Sequence, residues 1–235
     1  MRTKSRVLTR RNAIVGLAAI GGGALFARET LLKAAATPPG GLLSGNACLL
    51  TPEAVEGPFY FDPKLVRADI TEGKLGTPLK LTLQVVEAKD CAKRAGARVD
   101  IWHADALGAY SGYARQETGS TEGQKFLRGT QFTDADGQVS FATVYPGWYP
   151  GRTPHIHFKV FLDAARALTG QLYFPDEISD RIYVRAPYRD RQEARDTSNA
   201  TDFIFKDEGG AQTLSSVAEK EGGFLASLLI GINRT

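Results

Sequence analysis

Histidine is scarce in this chain: 235 residues hold three, His103, His155 and His157. An imidazole-bound metal must draw on these three and fill its other positions with different side chains. Cysteine is scarcer still. Cys48 and Cys91 are the only two, too few and too far apart for a thiolate metal centre. No G-x-G-x-x-G run exists, so the usual dinucleotide fingerprint is missing. The apolar stretch Ala13–Phe26 is Gly-rich and short of the roughly 20 residues that span a bilayer. The body is therefore expected not to span a membrane. It also lacks any amphipathic helical pattern longer than about ten residues. Basic excess is absent too, despite a formal charge of +3. Residues 1–36 hold seven of the 29 Lys and Arg and one of the 26 Asp and Glu, so the remainder carries 22 against 25. A mildly acidic body has no electrostatic footprint for nucleic acid.

What is present begins with an export signal. Arg2, Lys4 and Arg6 lead into Thr9-Arg10-Arg11, which resembles a twin-arginine motif, followed by the apolar stretch and an A-x-A cleavage site at Ala34–Ala36. Residues 1–36 are read as a twin-arginine signal peptide, 37–49 as a Pro/Gly-rich linker and 50–235 as one domain. The expected destination is exported, periplasmic or extracellular. There Cys48 and Cys91 meet an oxidising compartment and are expected to bridge.

The body reads as strands. Leu79–Ala88, Ala97–Asp105 and His155–Leu162 have strand patterns rich in β-formers. "TQFTDADGQVSFATV" places Asp136-Gly137 between two such runs, a β-hairpin signal. "QLYF", "RIYV", "DFIF" and "FLASLLIGI" continue the pattern, while 187–197 and 211–221 are short helix or loop candidates. Many short strands separated by turns predict an all-β, single-domain antiparallel β-sandwich with long loops and a few short helices.

The chemistry concentrates in "PGWYPGRTPHIHF", Pro146–Phe158. Residues i and i+2 of a strand share a face, so His155 and His157 project together and suit one metal ion. Two nitrogens leave the site incomplete. His103 as a third imidazole would give a zinc site of the hydrolase or lyase type. Phenols are the other source: Tyr149 in the Pro-Gly loop, and Tyr110 and Tyr113 in "GAYSGY". A phenolate is a hard anionic ligand that suits ferric iron.

These segments resemble the intradiol ring-cleavage dioxygenases, in the protocatechuate 3,4-dioxygenase-like branch and its exported members. "VDIWHADALGAYSGY" is similar to the family segment bearing the first tyrosine ligand, here Tyr110. "RGTQFTDADGQVSFATVYPGWYPGRTPHIHF" is similar to its central signature, and "TGQLYF" to the segment with an active-site glutamine, here Gln171. The resemblance runs from Leu50 to Ile232. It implies Fe(III) held by Tyr110, Tyr149, His155 and His157, with Arg152, Tyr149 and Gln171 acting in catalysis. Tyr149 would be both ligand and internal base, and His103 a structural group. It implies a small catecholic substrate and O2 as partners, and a muconate-type diacid as product. An oligomer is compatible with the sequence. One departure stands out: Thr153-Pro154 replaces the commoner Pro-Ala ahead of the histidines, and is expected to leave their spacing intact.

Overall fold

A computed structural model describes residues 42–43, 47–62, 64–116, 118–163 and 167–233. The signal-peptide reading of 1–36 falls outside these residues. Part of the expected linker carries two short strands, β1 (Leu42–Leu43) and β2 (Ala47–Cys48), paired antiparallel. Eight further strands follow: β3 (Pro78–Glu87), β4 (Arg98–Trp102), β5 (Arg128–Phe132), β6 (Gln138–Val144), β7 (His155–Phe161), β8 (Ala167–Tyr173), β9 (Ser216–Lys220) and β10 (Gly223–Ile232). They form two four-stranded sheets, ordered β6-β3-β10-β9 and β5-β4-β7-β8. The β-sandwich predicted from the sequence is thus observed, antiparallel in every pair of these sheets except one. β10 lies parallel to β3, with Phe224 opposite Leu79 and Ile232 opposite Glu87.

The first sheet follows directly from alternation. Leu79, Leu81, Leu83 and Val85 of β3 are buried, as are Phe224, Ala226, Leu228 and Ile230 of β10, while the residues between them are partly or fully exposed. A one-residue slip would turn both sets to the wrong face, which fixes the register. The second sheet is buried on both faces. Val99, Ile101, Ile156, Phe158, Val160, Leu168 and Leu172 pack into the core between the sheets. Their neighbours Trp102, His155, His157, Gln171 and Tyr173 are equally buried on the opposite face. That second face, covered by loops, is where the site lies.

Cys48 and Cys91 are bridged, with Cα atoms 5.3 Å apart, as expected. Among the described residues no helix is long and apolar enough to cross a membrane.

Several local expectations are corrected. Asp136-Gly137 does form a tight turn, with Asp134 Oδ1 accepting from the N–H groups of Asp136 and Gln138. It does not close a hairpin: β5 belongs to one sheet and β6 to the other. β6 pairs instead with β3, Phe141 opposite Leu81, because the apolar face of β6 is the one that completes the core. "RIYV" is helical, the end of α1 (Asp176–Tyr183). Pro175 starts that helix, Asp176 and Glu177 favour its first turn, and Ile178 and Ile182, four apart, face inward together. "DFIF" is also helical, in α2 (Phe203–Asp207), because the Asp202 side chain caps the N–H groups of Ile204 and Phe205. Within 211–221, a 3-10 turn ends at Thr213 and β9 begins at Ser216.

Candidate metal centre

β7 pairs with β4 on one side and β8 on the other. His157 stands opposite Trp102 and Gln171, and His155 opposite Tyr173. Both histidines point away from the core while Ile156 points into it. Their Nε2 atoms are 3.2 Å apart. The carbonyl of Thr153 lies 2.7 Å from His155 Nδ1. It accepts a hydrogen bond from Nδ1–H and leaves the Nε2 lone pair facing the second histidine. The His157 ring stacks on Trp102, centroids 4.7 Å apart and planes at 8°. Gly57, held at φ +69°, passes over its Cε1 atom.

Two phenols converge on the same point. The Tyr149 hydroxyl is 3.0 Å from His155 Nε2 and the Tyr110 hydroxyl 3.4 Å. Tyr110 arrives on the loop after β4, pinned at its backbone by Gln116 and Thr121, and stacks on Phe59 at 4.3 Å. Tyr110 is fully buried and Tyr149 only half-buried. Tyr149 and Tyr110 also wall a pocket of about 290 Å³ with Phe59, Gln116, Arg115 and Arg191.

Arg152 borders this cluster. Its Nη1 is 3.5 Å from the Tyr149 hydroxyl, its Nε donates to Asp202 Oδ2 at 2.8 Å, and its Nη2 donates to Gln171 Oε1. Asp202 Oδ2 also accepts from the Thr153 N–H at 2.8 Å. Proline, common at this position in the family motif, has no N–H to give. At the Thr153-Pro154 departure the two histidine Nε2 atoms stand 3.2 Å apart, and Thr153 makes a bond that a proline could not.

Burial, followed by the Arg152 charge, lowers the His155 pKa to about 3. Burial and then His155 hold His157 well below the usual histidine range. Burial raises both phenols, Tyr110 further through Tyr149, while Arg152 partly offsets the shift at Tyr149. With no cation, the cluster is therefore two neutral imidazoles and two neutral phenols. Neutral imidazole is the metal-binding form, and a bound cation reverses the logic for the phenols. The His157 Nδ1 atom has no hydrogen-bond partner among the described residues. Two imidazole nitrogens and two phenol oxygens, three of the four side chains buried and Tyr149 reached from the pocket, form a donor set that fits a single hard cation.

A family profile described as Dioxygenase matches residues 55–202, a span that contains all six residues read as site residues. A solved intradiol ring-cleavage dioxygenase from Tetranychus urticae shares 34% identity and superposes with a TM-score of 0.73, covering 79% of this chain and 95% of that one. This chain belongs to the intradiol ring-cleavage dioxygenase family. The dioxygenase is also similar to the dioxygenase domain of a dioxygenase carbohydrate-binding protein fusion from Streptomyces sp. SirexAA-E, at 31% identity and a TM-score of 0.59, over 80% of this chain and all of that one. Catechol 1,2-dioxygenase 1 of Acinetobacter lwoffii is 33% identical over 144 residues, 52% of this chain and 45% of that protein. The chain spans about half the length of the curated catechol 1,2-dioxygenases that it matches.

His103 stands apart, its Nδ1 2.8 Å from the Ala104 carbonyl and its Nε2 2.7 Å from Thr143 Oγ1. Tyr113 packs edge-on against Phe59. Trp148 lies in the core against Tyr183, beneath the Arg191 guanidinium. Tyr60 stands one layer out, on Trp102, and donates to Asp100. Three contributors carry no metal-site spacing and escape the sequence reading: Trp102, Phe59 and Asp202. Only Asp202 leaves a local trace, as an aspartate directly ahead of a helix start.

Proposed function

We propose that this dioxygenase holds one Fe(III) through Tyr110, Tyr149, His155 and His157, and uses O2 to cleave a catecholic ring between its two hydroxyl-bearing carbons. The product is a muconate-type diacid. The supporting observation is the meeting of two phenol oxygens and one imidazole nitrogen within 3.4 Å of His155 Nε2. Two phenolates would offset most of the charge of a 3+ ion, which a buried site tolerates better than a bare charge. When bound, ferric iron would draw electron density from a catecholic ring and make it reactive toward O2. Catechol plus O2 has the composition of the diacid, so both oxygen atoms enter the product and no external reductant is consumed.

The protein's part follows from the two phenols being unequal. Tyr149 is partly exposed on the pocket wall and sits on a Pro-Gly loop, so its phenolate oxygen is the one able to take a catechol proton and, as a hydroxyl, turn aside. Arg152 Nη1 is placed to receive that hydroxyl and to stabilise negative charge on the activated ring, worth about 3 kcal/mol in preorganised sites. Tyr110, buried and stacked on Phe59, keeps its place. Gln171 spends both ends of its amide on the protein, Oε1 on Arg152 and Nε2 on the Val55 carbonyl. Its supported role is to hold Arg152. A pocket at the small end of the ligand-site range suits a single substituted ring.

The test is iron content, a purple-red tyrosinate-to-iron absorption, and O2 uptake with catechol, protocatechuate and hydroxyquinol. A colourless, zinc-loaded protein that consumes no O2 with any of them overturns the proposal. We further propose export through the twin-arginine motif, supported by a disulfide that needs an oxidising compartment. Changing Arg10 and Arg11 to lysine should trap the precursor in the cytoplasm, and unimpaired export refutes the reading.

A further inference from the structure

Helix α2 is five residues long, and both its ends reach the residues around the metal centre. At its start Asp202 is fully buried. Its Oδ1 accepts from the Ile204 and Phe205 N–H groups, and its Oδ2 accepts from Arg152 Nε and the Thr153 N–H. At its end Glu208 Oε2 accepts from the Val55 N–H at 2.8 Å. The Val55 carbonyl accepts from Gln171 Nε2 at 2.9 Å, and Gln171 Oε1 accepts from Arg152. The bonds close a ring: Arg152, Asp202, α2, Glu208, Val55, Gln171 and back to Arg152. The segment at Pro52 packs so tightly on this helix end that a Cβ on Gly209 would lie 2.6 Å from the proline ring.

We propose that Asp202 and Glu208 are positioning residues that clamp the Arg152 guanidinium and the Gln171 amide in one orientation toward Tyr149 and the pocket. This rests on the functional reading above only in assigning Arg152 to the reaction. A guanidinium has five N–H donors and no acceptor. Asp202 occupies its Nε edge, while Gln171 and the Tyr173 hydroxyl occupy Nη2. Nη1 is left as the edge that faces the Tyr149 hydroxyl. The amide has no freedom either. Arg152 can only donate, so Oε1 must face it and Nε2 must find an acceptor, which is the Val55 carbonyl. Glu208 fixes that carbonyl by holding the N–H of the same residue. Asp202 ends the span matched by the family profile and Glu208 lies beyond it.

The test uses the full-length, iron-loaded protein. Glu208→Ala removes the acceptor from a partly exposed position, and Glu208→Gln keeps an oxygen that can accept. Glu208→Ala should melt within a few degrees of wild type and raise amide deuterium exchange across 53–60. It should lower kcat by about three- to tenfold with KM little changed. Glu208→Gln should restore kcat to within about twofold. Asp202→Asn retains the helix cap but should lower kcat about 100-fold, and adding Arg152→Ala to it should cost little more. Wild-type kcat in Glu208→Ala, failure of Gln to rescue, or full additivity of Asp202→Asn with Arg152→Ala overturns the clamp. If wild type consumes no O2 with any catechol, the functional reading fails instead. The clamp is then judged by exchange, and unchanged protection of 53–60 in Glu208→Ala sinks it.

Discussion

His103 can be titrated in a way that separates its two readings, third metal ligand and structural group. It is 1% exposed, and each ring nitrogen has a partner. The neutral ring satisfies both: Nδ1–H donates to the Ala104 carbonyl and Nε2 accepts the Thr143 hydroxyl. Burial lowers its pKa to about 4, against about 6.5 in the unfolded chain. Between these values the unfolded chain binds the proton and the folded chain does not. Stability from the neutral ring is therefore complete above about pH 6.5 and is lost as pH falls toward 4, a total of about 3 kcal/mol. His103→Asn keeps a donor and an acceptor but does not titrate. Urea unfolding of wild type and variant at pH 7 and pH 4.5 is the assay. Wild type should lose about 2 kcal/mol more than the variant over that interval. His155 and His157 contribute slopes of the same sign in metal-free protein, and the difference between wild type and variant removes them. At pH 7 the variant should keep the metal content and turnover of wild type. Equal pH slopes refute the buried neutral ring. A folded variant that has lost its metal refutes the structural role and restores the three-histidine site.

Replacing Cys48 and Cys91 with serine should cost about 4 kcal/mol by the loop-entropy model for a bridge across 43 residues, read as a lower melting temperature; an unchanged melt refutes it. Gly170→Ala should destabilise by about 1–3 kcal/mol, because the new Cβ would lie 2.3 Å from Phe158 Cζ; a neutral result in urea unfolding would show that the core yields there. Tyr149→Phe should keep bound iron and its colour through Tyr110 yet bind catechol slowly, whereas Tyr110→Phe should hold iron poorly. Metal analysis and stopped-flow absorption separate the two, and identical behaviour of the variants contradicts their unequal roles.

The legible part of this molecule is the part written in local spacing. The alternation of β3 and β10 gave their buried faces directly, and H-I-H gave two imidazoles on one side of β7. The illegible part depends on which distant segment arrives next. Asp136-Gly137 announced a turn but could not announce that β6 would pair with β3 instead of β5, since that choice is settled by where the apolar face of β6 finds a core. "RIYV" and "DFIF" are too short for a period to separate strand from helix. What decides them is Pro175, six residues ahead of "RIYV", and the cap made by Asp202, the first residue of "DFIF" itself.

The same division runs through the proposed metal centre. All four proposed donors lie in two stretches, Tyr110 in one and Tyr149, His155 and His157 in the other, and the resemblance of those stretches to the family segments is what picked them out. The groups that aim those donors come from far away in sequence: Phe59 stacks on Tyr110, Gly57 covers His157, and Asp202 holds Arg152 across 50 residues. They cover the outer face of the second sheet, the face that a two-layer sandwich would otherwise leave to water. Burying that face lowers the imidazole pKa values into the metal-binding range, while Tyr149 stays open to the pocket. Loops that carry no pattern of their own thus turn an ordinary sheet surface into a site reached from one side, and changes in these loops should alter reactivity while leaving the sandwich in place.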